Sequence, residues 1–167
     1  MKWNKRFKYP QTIREAIEGE RHYLIAQEKL PSVTTILQAT QSEEKKAVLE
    51  NWKKRVGEDN AENIKNTAAN RGSIMHRLIE CYLLDERHMD LTDLGQQADK
   101  MAQIIIDQGL KGYMDEIWGT EICLHYPGLY AGASDLAGIY EGRESIMDFK
   151  QSNKPKRREW IEDYFIQ

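Results

Sequence analysis

The last third of the chain is constrained by three alternating runs joined by two tight turns. TEICLHYP, residues 120–127, alternates in polarity from about Gly119 onward, and Pro127-Gly128 marks a turn. YAGASDLAGIY, residues 130–140, reads as a second strand, and Glu141-Gly142-Arg143 as the next turn. ESIMDFK, residues 144–150, reads as a third strand. Runs joined so closely predict an antiparallel meander, because parallel neighbours need a crossover of a dozen or more residues.

Upstream, the period changes from two to that of a helix. A short strand is expected at residues 21–26, then a short helix opened by Pro31 and Ser32. Ser42-Glu43-Glu44 is a helix start: a hydroxyl caps free N–H groups and acids meet the positive dipole end. That helix carries Ala47, Val48, Trp52 and Val56 and ends at Gly57. Two more helices are expected at 59–69 and 73–84, separated by Arg71-Gly72, and a long one starts at Asp93 and extends toward Tyr113. After Lys150 a basic loop leads into a last helix at Glu159 or Trp160. The expected fold is α/β (α+β) in a single domain, 1–167. Residues 1–115 form a mainly helical lobe, and 116–167 hold the sheet and the start of the following helix.

The chain has 167 residues, 40% hydrophobic and 31% charged, which excludes a disordered chain. No apolar run is long enough for a spanning helix, so no membrane partner is expected. The net charge of −3 means that binding to nucleic acid has to come from local patches or metal ions. Cys81 and Cys123, the only cysteines, read as reduced buried thiols of a cytoplasmic protein. They are too few for an iron–sulphur cluster within one chain.

Two acids sit where packing alone would not want them. Asp135 lies inside the second strand run and Asp148 near the end of the third. Aspartate is a poor strand residue and costly to bury alone. On neighbouring strands the two carboxylates suit Mg²⁺ or Mn²⁺. Lys150, two residues after Asp148, shares its face of the strand. Its ammonium could then steady an attacking water or a phosphate. An ordinary surface Asp–Lys pair at a strand end remains the alternative. Lys154, Lys156, Arg157 and Arg158 follow as a basic cluster beside this region, suited to phosphate contacts.

Gly132-Ala133-Ser134-Asp135 with Ile146-Met147-Asp148-Phe149-Lys150 resembles the active-site signature of the PD-(D/E)XK nuclease superfamily. Arg71-Gly72-Ser73-Ile74-Met75-His76, followed by Glu80, resembles the histidine-bearing helix of its RecB-like branch. Glu121 resembles that branch's additional acid. The segment from Leu30 to Leu37 with Trp52, and Asp148-Phe149-Lys150-Gln151-Ser152 with Lys154-Pro155-Lys156, resemble the group that contains the mitochondrial genome maintenance and phage exonucleases.

The resemblance implies a restriction-endonuclease-like core and a Mg²⁺- or Mn²⁺-dependent deoxyribonuclease acting on single-stranded DNA ends in recombination, repair or replication. The implied metal ligands are His76, Asp135, Asp148 and the Phe149 carbonyl. Lys150, Glu121 and Gln167 are implied in catalysis, and Arg71, Ser152, Lys154, Lys156, Arg157 and Arg158 in DNA contact. Glu80 would orient His76, bind DNA indirectly or remain solvated. Trp3, Phe7, Tyr9 and Trp160 are stacking platforms or packing. The implied setting is the cytoplasm of a bacterium or a phage-infected host. Relatives continue past Gln167 with a Tyr and further strands, so the chain reads as truncated, with an exposed sheet edge inviting self-association. An endonuclease of the superfamily and a non-catalytic DNA-binding fragment are the alternatives.

Overall fold

The computed structural model describes residues 1–17, 19–152, 156–158 and 161–166. It is an α+β structure with two sheets. In chain order, β1 is Lys2–Trp3, β2 Thr12–Ile17, β3 Glu20–Ile25 and β4 Glu28–Pro31. Then come α1 (Val33–Ala39), α2 (Glu43–Val56), α3 (Glu58–Leu84) and α4 (Asp93–Ile105), which continues into a π-helical turn, Ile106–Leu110. The chain goes on through β5 (Met114–Tyr126), β6 (Tyr130–Tyr140), β7 (Arg143–Met147) and α5 (Glu162–Ile166).

The antiparallel meander is present as β5-β6-β7, and β1 joins it in parallel beside β5. The N-terminal part is less helical than expected. Its single expected strand is the centre of an antiparallel sheet, β2-β3-β4. The outer strands were obscured because β2 buries little of its length, which blurs its alternation.

The helix starts at Ser32 and Ser42 form as read. Each hydroxyl accepts a backbone N–H, from Thr35 and Lys45 respectively. Gly57 separates α2 from α3 at φ 86°, a conformation costly for other residues. The expected break at Arg71-Gly72 does not occur, and α3 runs through it for 27 residues. A glycine inside a helix costs about 1 kcal/mol against alanine without ending it. Here a Cβ on Gly72 would lie 2.9 Å from Gln151 Nε2, so its absence makes room for that side chain. The helix from Asp93 stops short of Tyr113, and β5 begins earlier than expected, at Met114.

One core lies between α3, α4 and the larger sheet: Met75, Ile79 and Leu83, then Ala98, Ala102, Ile106 and Leu110, over Met114, Ile117 and Leu136. A second core joins the smaller sheet to the far end of β5-β6 through Tyr23, Ile25, Leu30, Cys123 and Ala131. Both cysteines are free and buried. Trp3 donates its indole N–H to the Leu83 carbonyl, and Phe7 packs edge-on against Trp118, so these aromatics serve packing. No helix among the described residues is long and apolar enough to cross a membrane.

Candidate metal centre

A pocket of about 190 Å³ is lined by His76, Glu121, Asp135, Asp148 and Lys150, with Arg14, Arg21 and Thr34 on its other wall. His76, the three acids and Lys150 come from four places. His76 follows the fully buried Met75, so core packing fixes its position on α3. Asp135 is in the middle of β6, one residue before the fully buried Leu136. Glu121 lies opposite it on β5, between the registered pairs Thr120–Leu136 and Ile122–Ser134. Asp148 and Lys150 come just after β7, which ends at Met147.

That ending corrects the expected third strand, and face alternation no longer explains why Asp148 and Lys150 meet. A tether from β6 fixes this segment instead. The Phe149 backbone N–H donates to Asp135 Oδ2 at 2.5 Å. Lys150 Nζ then donates to Asp148 Oδ1 at 2.6 Å. A second tether runs to α3. Arg71 Nε donates to Gln151 Oε1 at 2.8 Å, and Gln151 Nε2 donates to the Ala68 carbonyl. In the sequence Gln151 has no role of its own; it stands only within the Asp148–Ser152 run that carries the resemblance.

Asp135 Oδ1 lies 3.1 Å from His76 Nδ1, and Glu121 Oε1 lies 3.9 Å from the same nitrogen. The carboxylate of Asp135, then that of Glu121, pushes the His76 pKa from 6.5 up to about 10. In this geometry the imidazolium is the cation between the two carboxylates. The three side chains each offer a ligand atom within 4.8 Å of the others. Among the described residues they form the group suited to a metal ion. Asp148 lines the same pocket, its carboxylate engaged by Lys150. Carboxylate oxygens with one imidazole nitrogen form a donor set that fits Mn²⁺ and also accepts Mg²⁺.

Glu121 has φ 49°, in the left-handed region that a non-glycine residue adopts at a cost of about 1–3 kcal/mol. That turn of the backbone occurs at the one β5 residue facing both His76 and Asp135. Nothing in the amino-acid order announces it.

The chain is 30% identical over 132 residues to mitochondrial genome maintenance exonuclease 1 of Mus musculus. The alignment covers 76% of this chain and 38% of that protein. It is 28% identical over 137 residues to the Homo sapiens protein of the same name, with the same two coverages. The chain is a distant homologue of a nuclease. It spans 38% of the length of these curated relatives. No protein-family model matches it.

The remaining expected contacts fall in several places. Glu80 accepts from Arg77 at 2.7 Å. Arg71 also reaches Gln97 Oε1 at 3.3 Å. Lys156 Nζ donates to the Tyr164 hydroxyl at 2.8 Å and lies over its ring. Ser152, Arg157 and Arg158 are exposed beyond the D-x-K segment. Lys154, Trp160 and Gln167 lie outside the described residues. Arg14 and Arg21 line the pocket and were not expected there, because a lone arginine in each of two hairpin strands carries no motif.

Proposed function

We propose that this chain is a Mg²⁺- or Mn²⁺-dependent deoxyribonuclease that hydrolyses phosphodiester bonds at single-stranded DNA ends. The observation that carries the reading is the convergence of His76, Glu121 and Asp135 within one pocket that also holds the Asp148–Lys150 pair. Distant homology to an exonuclease supports the same reaction class.

His76, Glu121 and Asp135 would hold the ion, with Asp148 available from the adjoining wall. A bound divalent ion supplies Lewis acidity toward a phosphoryl oxygen and lowers the pKa of a coordinated water. The protein's own part is positional and electrostatic. Asp135 fixes the Phe149 backbone and so the places of Asp148 and Lys150. Lys150 brings a positive charge to the pocket, where negative charge grows as the phosphodiester is attacked. Asp148 keeps that ammonium oriented.

End-labelled strands test substrate and mode together. Single strands labelled at one end, with Mn²⁺, are expected to release short products from a free terminus. A circular single strand should resist. Cleavage of the circle would favour an endonuclease. Binding without cleavage of any substrate would favour a DNA-binding fragment.

A further inference from the structure

The metal pocket presents three carboxylates, Glu121, Asp135 and Asp148, to a substrate that is itself a polyanion. A phosphodiester strand needs cationic groups on its way in, and Lys150 is committed to Asp148. The opposite wall supplies such groups. Arg14 on β2 and Arg21 on β3 are diagonal neighbours on one face of the hairpin, since Arg14 pairs with Tyr23 and Ala16 with Arg21. Tyr23 and Ile25 on that face are buried against Leu30, Cys123 and Ala131, so the hairpin is held against the larger sheet.

The Arg21 backbone is fixed a second time. Its carbonyl accepts the Ser32 N–H at 3.0 Å and the Thr35 hydroxyl at 3.3 Å. Both arginines are exposed, and among the described residues neither guanidinium has a hydrogen-bond or ion-pair partner. Arg14, Arg21 and Thr34 line the metal pocket and also a larger groove of about 740 Å³ that opens away from it. Glu15 and Glu20 border that outer groove, so the cationic stretch is the part the two spaces share.

We infer that Arg14 and Arg21 form a phosphate clamp that holds the backbone of the DNA strand next to the phosphodiester being cleaved. The inference rests on the nuclease reading above. Each guanidinium offers a planar fork of donors matched to phosphate oxygens. The two lie on one hairpin face whose backbone is held by the second core, so both side chains start from fixed positions before the strand arrives. Such bonds go to the backbone and carry no base preference.

The test is single-stranded oligonucleotide binding with Ca²⁺ in place of the catalytic ion, measured over a range of salt, together with steady-state cleavage in Mn²⁺. For Arg14→Ala/Arg21→Ala the slope of log affinity against log salt should fall by about 0.7 for each phosphate that is no longer neutralised. KM should rise while kcat stays within about twofold. Arg14→Lys/Arg21→Lys should keep the slope, and Lys65→Ala, an exposed change elsewhere on α3, should match the wild type. A wild type that binds and cleaves, with an unchanged slope and KM in the double alanine variant, overturns the clamp alone. A wild type that neither binds nor cleaves DNA overturns the nuclease reading and the clamp with it.

Discussion

Asp135 accepts the backbone N–H of Phe149 through Oδ2 while its other oxygen faces His76 Nδ1. One half-buried carboxylate thus sets both the D-x-K segment and the imidazole. Asp135→Asn should therefore do more than remove a charge. Its amide can keep only one of the two bonds as an acceptor. Near-ultraviolet circular dichroism of metal-free Asp135→Asn should show loosened aromatic packing around Phe149, whereas Asp148→Asn should keep the wild-type spectrum. Identical spectra for both variants would show that the tether is dispensable.

The pH dependence of the metal-free chain follows from His76. Its pKa is about 10 in the folded protein against 6.5 for the unfolded chain. A raised pKa stabilises the fold fully below 6.5, and this contribution is lost as pH rises through about 10. The urea midpoint of the wild type should therefore exceed that of His76→Gln at pH 6, with the gap closing toward pH 10. Because a metal ligand must be deprotonated, Mn²⁺ affinity should rise over the same interval. A gap that widens with pH would contradict the ion pairing.

Gly72→Ala separates stability from activity. The added Cβ displaces the end of Gln151 from its place beside Ala68, while helix propensity improves by about 1 kcal/mol. Losing the hydrogen bonds of Gln151 costs about as much, so the net stability should change by less than about 1 kcal/mol. Cleavage should fall by about tenfold, since Asp148 and Lys150 lose an anchor. Equal losses in Tm and rate would mean that Gln151 has no positioning part.

Glu121 predicts an inversion of the usual strand preference. At φ 49° alanine keeps the backbone strain and glycine relieves it. Both changes remove the carboxylate, so the comparison isolates the backbone. Glu121→Gly should be more stable than Glu121→Ala by about 1 kcal/mol in urea denaturation. The ordinary order, alanine above glycine, would show that this residue is not held in the left-handed region.

The meander and the helix starts were legible because their signals are local: turn residues, alternation, and a serine before an acid pair. The three-stranded N-terminal sheet was only partly legible, since β2 is largely exposed and has no clear apolar face. Gly72 looked like a helix break because its role concerns Gln151, about 80 residues away. The candidate acids could be named from the strand runs in which they stand in the sequence. Which atoms converge could not, because it depends on Asp135 tethering Phe149 and on the turned backbone at Glu121. The two hairpin arginines were invisible for a similar reason: only tertiary packing through Tyr23 and Leu30 brings them to the pocket.

Association between copies should involve β7. Among the described residues it pairs only with β6, and Ile146 on it is 67% exposed. A strand edge of this kind templates pairing unless charge blocks it. Sedimentation should show concentration-dependent self-association that Ile146→Lys reduces. A wild type that stays monomeric at high concentration would contradict this.

The central claim is that the acids around His76 hold a divalent ion that drives hydrolysis of DNA. Its most direct test is the initial rate of cleavage of an end-labelled single strand, with Mn²⁺ and with EDTA, for the wild type, Asp148→Asn and Lys150→Ala. Cleavage by the wild type is expected only with Mn²⁺, with a loss of about 10²-fold or more in Asp148→Asn. Lys150→Ala should lose turnover while calorimetry shows Mn²⁺ affinity retained. Cleavage that persists in EDTA, or full activity in Asp148→Asn, would contradict it.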